Sequence, residues 1–514
     1  MSAKAVVSGG PVVRARGTLQ RHVTVALAPL LLAAVLATPA HGQGLVTLYE
    51  AARGYDATYQ GALAQYDASI ARAAQAKAGI LPQVGVQAGV TRTDLEIDVI
   101  SGAPRGSASR AYTAQNIGIS ASQPLYRPAA WAAYEQGQRQ AGIARTVLTT
   151  AEQDLILRVS QAYFDVLAAQ DTLGLVRAQK AAVAEQLASA QRNFEVGTAT
   201  ITDSREAQSR YDLVLAQEIA AGNDLQVKRL ALDTLVAQRG SAPLPLAAPI
   251  VLPTPLPADM EAWVTQAQDA HPAIEQARLG VDVAALEVQK AEAGHKPTVD
   301  ASLGYSISRN PDGTALTAIG TRATGPNVGV VLNMPLFAGF ATQNRIRETL
   351  SLEAQSRATL DATRRGVAQA TRTAYLGLVS GAGQVRALEA AEASSLSALE
   401  ANQLGYQVGV RINIDVLNSQ SQLFQTRRDL ALARYNVLLG HLRLRQANGT
   451  LAAPDLLPID ATLARDARAA DAGRATSAYA APATSTTASV PAPVPNMPMA
   501  APTPSVPPPP PTLR

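Results

Sequence analysis

The chain has 514 residues and no cysteine, and aromatic residues make up only 4% of it although 47% is hydrophobic. The missing cysteines exclude disulfides, thiolate metal sites, a cysteine nucleophile and a lipidated N-terminal cysteine. The formal charge of +4 comes from residues 1–42, which contain four basic residues and no acid. The rest of the chain is therefore neutral and gives no support to nucleic-acid binding.

Residues 1–42 have the pattern of a secretory signal peptide. Arg14, Arg16 and Arg21 precede an apolar run over residues 23–37, and small residues follow at the cleavage positions. A transmembrane anchor is the alternative, but the apolar run is shorter than the ~20 residues that a spanning helix needs. We therefore expect an exported protein that begins near Gln43.

The next three segments change periodicity twice. Residues 43–81 have helical spacing and form the predicted short helical segment of a first repeat. Residues 82–127 alternate between apolar and polar side chains in two runs, which predicts a β-hairpin with one apolar face. Residues 128–242 contain no proline after Pro128 and predict a long helical hairpin, whose first helix would extend ~100 Å at 1.5 Å per residue.

A heptad seam runs along this first long helix, with one vacancy at Lys180. Its members are Leu173, Val176, Val183, Leu187, Ala190 and Phe194.

The same order of elements then returns, which indicates an internal duplication of about 210 residues. Such a period is far longer than that of a solenoid repeat. A Pro-rich linker leads into the second repeat, and an Ala/Pro-rich tail that cannot bury a core closes the chain. The predicted segments are the linker 243–258, a second short helical segment 259–295, a second β-hairpin 296–337, a second long helical hairpin 338–453 and a C-terminal segment 454–514.

A short motif near the far end of each long proline-free run marks the two repeats. Residues 196–203 and 408–415 share a Val-Gly pair followed, five positions later, by Thr or Ile and then Asp, and the two copies are 212 residues apart. Phe194 and Tyr406 hold equivalent aromatic positions before them. We interpret the copies as equivalent turns that each join two long helices.

The strand pattern constrains the architecture. Four strands with one apolar face cannot close a membrane barrel, because open sheet edges do not survive in lipid and such barrels start at about eight strands. If these strands meet lipid, several chains must contribute to one barrel. The alternative is a soluble helical protein that carries a small antiparallel sheet.

Besides the duplication, several short segments carry a family resemblance: residues 78–83, 123–126, 162–164, 193–197 with Thr202 and Asp203, and 405–409 with residues 415–417. On these segments the chain resembles the TolC family of outer-membrane export ducts over residues 45–455. The resemblance implies an α+β membrane protein, a homotrimer with four strands per chain in one β-barrel, continuous with a long α-helical coiled-coil tunnel through the periplasm.

The resemblance also implies a periplasmic tip that is closed at rest by polar links. Arg411 would contact Thr202 and Asp203, and Tyr406 would contact Asp203. An Arg–carboxylate pair suits such a gate because a partly exposed pair is weak enough for a partner to break. Helix capping is the alternative role for Thr202 and Asp203.

Asp415 matches the first of two family aspartates at the narrowest point of the tunnel, and Asn418 stands where the second would be. Three Asp415 carboxylates around one axis would favour cations. With Asn418 in the second ring, we expect weaker cation selectivity. The alternative for Asp415 is a solvated first-turn acid favoured by the helix dipole.

No catalytic, metal or cofactor pattern competes with this interpretation. We expect a non-enzymatic exit duct in the outer membrane of a Gram-negative cell, for type I protein secretion, multidrug efflux or both. Its expected partners are two further copies, a periplasmic membrane-fusion adaptor, an inner-membrane ABC or RND-type pump, exported protein or small-molecule cargo, and outer-membrane lipid. A structural or adhesive coiled-coil trimer with a membrane anchor is the alternative function.

Overall fold

The computed structural model describes residues 43–98, 100, 107–247, 250, 252–315 and 317–463. The predicted signal peptide and the Ala/Pro-rich tail after residue 463 lie outside the described residues.

Both halves of the chain contain two short helices, two strands and two long helices in the same order. The first half consists of α1 (Leu45–Tyr55), α2 (Ala57–Lys77), β1 (Gln83–Asp98), β2 (Ser107–Tyr126), α3 (Pro128–Glu195) and α4 (Ile201–Val236). The second consists of α5 (Met260–Ala270), α6 (Pro272–Glu292), β3 (Thr298–Asn310), β4 (Thr321–Asn333), α7 (Ala341–Gln407) and α8 (Asn413–Ala447), and α9 (Leu456–Ala461) follows.

The short helical segment of each half is divided in two, where the sequence pattern predicts one helix. Asp56 separates α1 from α2 and caps α2 by accepting a hydrogen bond from the Tyr59 amide at 2.8 Å. His271, at the equivalent place, precedes Pro272 and caps α6 through Nδ1. Proline disfavours helical geometry in the residue before it, which explains the second break. A capping carboxylate held by Arg158 explains the first.

The four strands form one antiparallel sheet in the order β1-β2-β3-β4. Because β2 pairs with β3, both halves of the chain contribute to a single sheet. The register aligns Val86 with Ile119 and Ile119 with Tyr305, so that their side chains share one face. That face is exposed, with Val86 at 70% of its accessible surface. The other face is polar or small, as in the row Gln87, Gly118, Ser306 and Gly325.

The long helices form two hairpins, α3/α4 and α7/α8. Helix α3 has 68 residues and begins with Pro128 at a position where the missing amide hydrogen is not needed. At 1.5 Å per residue it extends ~100 Å away from the sheet. Lys180 fills the vacancy in the heptad seam with an ion pair to Glu218 of α4. Among the described residues, no helix combines the length and apolarity needed to cross a bilayer.

The largest apolar core lies partway along the hairpins, where α1, α3, α4, α8 and α9 meet. Tyr163, Phe164 and Tyr435 stack there with ring centroids 5.6 and 5.7 Å apart. The Tyr163 hydroxyl donates to the Leu244 carbonyl at 2.8 Å. Its repeat equivalent, Tyr375, donates to the Ala258 carbonyl. Equivalent tyrosines thus bind both ends of the linker to the hairpins.

Candidate functional site at the paired turns

The two Val-Gly turns have the same backbone geometry. Gly197 and Gly409 adopt φ values of +79° and +77°, which L side chains rarely adopt. In the first turn the Gly197 amide donates to the Phe194 carbonyl and the Thr198 amide to the Asn193 carbonyl, at 3.0 and 2.8 Å. The same pair of bonds recurs 212 positions later, at 3.1 and 2.8 Å. Both helices therefore end in a Schellman motif, for which glycine is the preferred residue.

The helices that follow these turns start differently. Thr200 caps α4, and Thr200 and Asp203 form a reciprocal capping box. The Asp203 Oδ2 accepts from the Thr200 amide at 3.0 Å and from the Thr200 hydroxyl at 2.7 Å. Thr202 is exposed and is not the cap. The capping role that the sequence allowed is thus present at Asp203, with Thr200 as its partner.

Isoleucine at position 412 removes that capping box from α8. Ile412 is the equivalent of Thr200, but it has no hydroxyl and makes no side-chain cap. The Asp415 carboxylate instead lies 3.6 Å from the guanidinium of Arg411, one turn earlier. Both groups are substantially exposed, at 57% for Arg411 and 34% for Asp415, so the pair is weak.

Within the described chain, Arg411 and Tyr406 bond elsewhere than to Asp203. Tyr406 accepts a hydrogen bond at 3.4 Å from Asn193 of α3, which places the two turns side by side. Asn418 accepts one at 2.8 Å from Arg210 of α4. The links of Arg411 to Thr202 and Asp203, and of Tyr406 to Asp203, stay predictions.

A buried amide that the sequence pattern did not single out joins the two hairpins. Asn413, the first residue of α8, is 1% exposed. Its Nδ2 donates to the Asp203 carbonyl at 3.4 Å, and its Oδ1 accepts from Gln186 of α3. Asn413 thus contacts α3 and α4 at once. The only sequence signal for it was an amide directly after the second turn, where a hydrophobic residue stands in the first copy.

One turn further along α8, Leu417 is fully buried between α3 and α4. It belongs to a buried apolar cluster with Val176, Val183, Ala190, Ala207 and Val214. Three of these, Val176, Val183 and Ala190, are members of the predicted α3 seam, so the seam packs against a side chain from the second hairpin as well as against α4. Leu417, with polar contacts on either side of it along α8, therefore fixes the hairpins to each other near the turns.

The turns themselves present apolar side chains outward. Val196 is 72% exposed and Val410 is 78% exposed. Tyr406, Asn418 and Arg411 each make one exposed or partly buried polar contact in this region, and Asn413 makes two partly buried ones. Contacts of this kind can be exchanged without unfolding the hairpins. The arrangement is suited to a conformational change at this end of the molecule.

The architecture is shared with solved outer-membrane channels. Superposition on the outer membrane protein VceC from Vibrio cholerae gives a TM-score of 0.66, covering 79% of this chain and 96% of that one at 18% identity. At this identity the likeness establishes the fold, which is that of outer-membrane efflux channels.

Relatives in sequence narrow the class further. Residues 48–238 and 263–450 match the family model described as outer membrane efflux protein. The chain is 33% identical over 442 residues to the outer membrane protein TolC of Vibrio cholerae, covering 85% of this chain and 98% of that protein. It is 32% identical over 448 residues to the alkaline protease secretion protein AprF of Pseudomonas aeruginosa, covering 85% and 91%.

The chain belongs to the outer membrane efflux protein family. The resemblance to the TolC family is confirmed, and so are the outer-membrane location and the export-channel function. The adhesive coiled-coil alternative finds no support among these relatives.

Proposed function

We propose that three copies of this chain form one outer-membrane duct, with twelve strands in a shared barrel and the hairpins in a periplasmic tunnel. The observation that carries the proposal is the sheet. Within the described chain, the outer edges of β1 and β4 pair with no other strand. A sheet with an exposed apolar face and unpaired edge strands is unstable in lipid unless strands of another copy form hydrogen bonds with those edges.

Pairing of β4 with β1 of the next copy would bury every edge. The apolar row of Val86, Ile119 and Tyr305 would then face lipid, and the row of Gln87 and Ser306 would face the lumen. Twelve strands exceed the minimum of about eight for a membrane barrel.

The assembly is tested by native mass spectrometry of the detergent-purified protein. A trimer mass is expected. In a second preparation, Val330→Cys on β4 and Val86→Cys on β1 allow cross-linking in a chain that has no cysteine of its own. A monomeric protein, or cross-links that form no closed trimer, would contradict the assembly.

The paired turns serve as the gate of this duct at its periplasmic end. The support is their position about 100 Å along α3 from the sheet and their weak polar contacts. Thr202, Asp203, Tyr406 and Arg411 are the proposed gate residues, and Asp415 with Asn418 forms the constriction. In the assembled trimer, Arg411 would exchange between Asp415 and Asp203.

The gate is tested by single-channel conductance in planar bilayers. Arg411→Ser removes the only charged partner that the described residues give Asp415. We expect a higher conductance for this variant, and Asp415→Ala should weaken any preference for cations. An unchanged conductance for Arg411→Ser would count against the gate.

The partners follow from the same class of protein. We propose a periplasmic membrane-fusion adaptor at the turns and an inner-membrane ABC or RND-type pump as the energy source. The likeness to an alkaline protease secretion protein favours protein cargo. Cross-linked co-purification would identify the adaptor and pump. Deletion of the gene should abolish release of a secreted protein, whereas drug and detergent sensitivity alone would favour efflux.

A further inference from the structure

Arg210 of α4 forms a polar contact between the hairpins that is distinct from the proposed gate residues. Its Nη2 donates to the Oδ1 of Asn418 on α8 at 2.8 Å. The two residues are 208 positions apart, so only the packing of the second hairpin against the first brings them together.

The charges around this contact are not balanced. Asn418 contributes a carbonyl dipole and no charge, and no ion pair among the described residues includes Arg210. Asp415, one turn earlier on α8, has the guanidinium of Arg411 at 3.6 Å. Arg411 is the ion-pair partner of Asp415, whereas Arg210 is the charged group that contacts Asn418 directly.

The position of the Arg210 side chain is restricted by its surroundings. It lines a cavity of about 150 Å³ between α3, α4 and α8. Val176, Val183, Val214 and Leu417 form the apolar wall of this cavity. The aliphatic stem of an arginine packs on such a wall while its head group reaches a polar partner. The guanidinium meets Asn418 at an exposed position beside this cavity.

We propose that Arg210 determines the ion preference of the mouth, which is the periplasmic end of the duct at the paired turns. It does so by placing a ring of positive charge one helical turn from Asp415. This inference rests on the proposed function, because it requires that Asp415 and Asn418 line the constriction. A fixed cation in a narrow polar passage repels cations and attracts anions. The positive ring offsets the ring of Asp415 carboxylates, so the constriction is less cation-selective than Asp415 alone would make it.

A charge series in planar bilayers tests the proposal. The purified full-length channel and its variants are measured in a KCl gradient, and the chloride-to-potassium permeability ratio is taken from the reversal potential. At the Asn418 level, wild type and Arg210→Lys carry one positive charge per chain. Arg210→Gln and Asn418→Asp each carry none, and the double variant carries one negative charge. We expect the ratio to fall roughly two- to five-fold per unit charge removed, as for a unit charge acting across a few ångströms of water.

Arg205→Gln is the matched control. Arg205 is an exposed arginine on the same helix, five positions before Arg210, and its replacement changes the total charge by the same amount. We expect its permeability ratio to equal that of wild type. Asn418→Asp preserves the contact with Arg210. Its permeability ratio therefore tests the proposal even if Arg210→Gln yields no channel.

Two results overturn different statements. If wild type conducts but Arg210→Gln and Asn418→Asp leave the permeability ratio unchanged, or Arg205→Gln shifts it equally, the inference is wrong and the duct stands. If wild type forms no channel at all, the proposed function itself fails.

Discussion

The side chain of Asn413 donates a hydrogen bond to the main-chain carbonyl of Asp203 at 3.4 Å, and this bond joins the starts of α8 and α4, the returning helices of the two hairpins. Both positions follow a Val-Gly turn. The two copies of the motif therefore meet in three dimensions. Their contact is polar and buried, which makes it sensitive to the loss of either partner.

Replacement of Asn413 by alanine should weaken the contact between the two hairpins at the turns. It leaves the Gln186 amide and the Asp203 carbonyl without this partner, at a cost of about 1–3 kcal/mol. We expect higher single-channel conductance and faster proteolysis at the turns. Asn436→Ala is the control, since Asn436 is an exposed asparagine on the same helix. Equal behaviour of the two variants would show that Asn413 does not hold the hairpins together.

Two threonines of the first turn should differ in their contribution to stability. Both threonines are exposed, but it is Thr200 that makes the capping box with Asp203. Thr200→Ala should lower the free energy of unfolding by about 0.5–2 kcal/mol, while Thr202→Ala should change it by less than about 0.5 kcal/mol. Chemical denaturation followed by circular dichroism measures both. A loss for Thr202→Ala as large as that for Thr200→Ala would contradict the assignment of the cap to Thr200.

Asp56 should stabilise the protein in a pH-dependent way. Arg158 donates two hydrogen bonds to the carboxylate, at 2.8 and 2.9 Å, and these bonds lower the pKa of Asp56 below its ordinary value. The unfolded chain therefore binds a proton more readily, so the stabilisation is present above pH ~4 and is lost as the pH falls through the folded-state pKa.

Asp56→Asn tests this because asparagine also caps helices. With Arg158 partly exposed, the variant should be about 1–2 kcal/mol less stable at pH 7. Thermal unfolding between pH 3 and pH 7 should show this difference shrinking in acid. A difference that stays constant across the range would exclude ionisation of Asp56 as its source.

His271, the equivalent cap in the second half, should respond to acid for a different reason. Its Nδ1 accepts from the Ala273 amide at 3.1 Å, and burial lowers the pKa of the imidazole. Below pH ~6.5 the unfolded chain takes up a proton that the folded chain resists, so folding stability falls as the pH falls.

His271→Asn retains a capping side chain and does not titrate. It should flatten the stability profile between pH 7 and pH 5 relative to wild type. His271→Ala should flatten it too but lower stability at all pH values by about 1 kcal/mol through loss of the cap. An unchanged slope for both variants would contradict the proposed role of His271.

The sequence by itself determined the repeating elements. The Val-Gly turns were predictable because a Schellman motif needs glycine at one position, and Gly197 and Gly409 adopt the expected geometry. The hairpin strands were predictable because side chains alternate across a sheet. The break before Pro272 could have been predicted from proline, whereas the break at Asp56 depends on Arg158, which is 102 positions away.

Only the tertiary structure decided which polar groups meet at the turns. The relative rotation of the α3/α4 and α7/α8 hairpins brings Arg210 to Asn418 and buries Asn413 beside Asp203. Those contacts join residues more than two hundred positions apart, and no local propensity encodes them. The periodicity of the chain thus determined its helices, strands and turns. The charge of the mouth depends on packing, because a hydrogen bond exists only where two distant surfaces are held together.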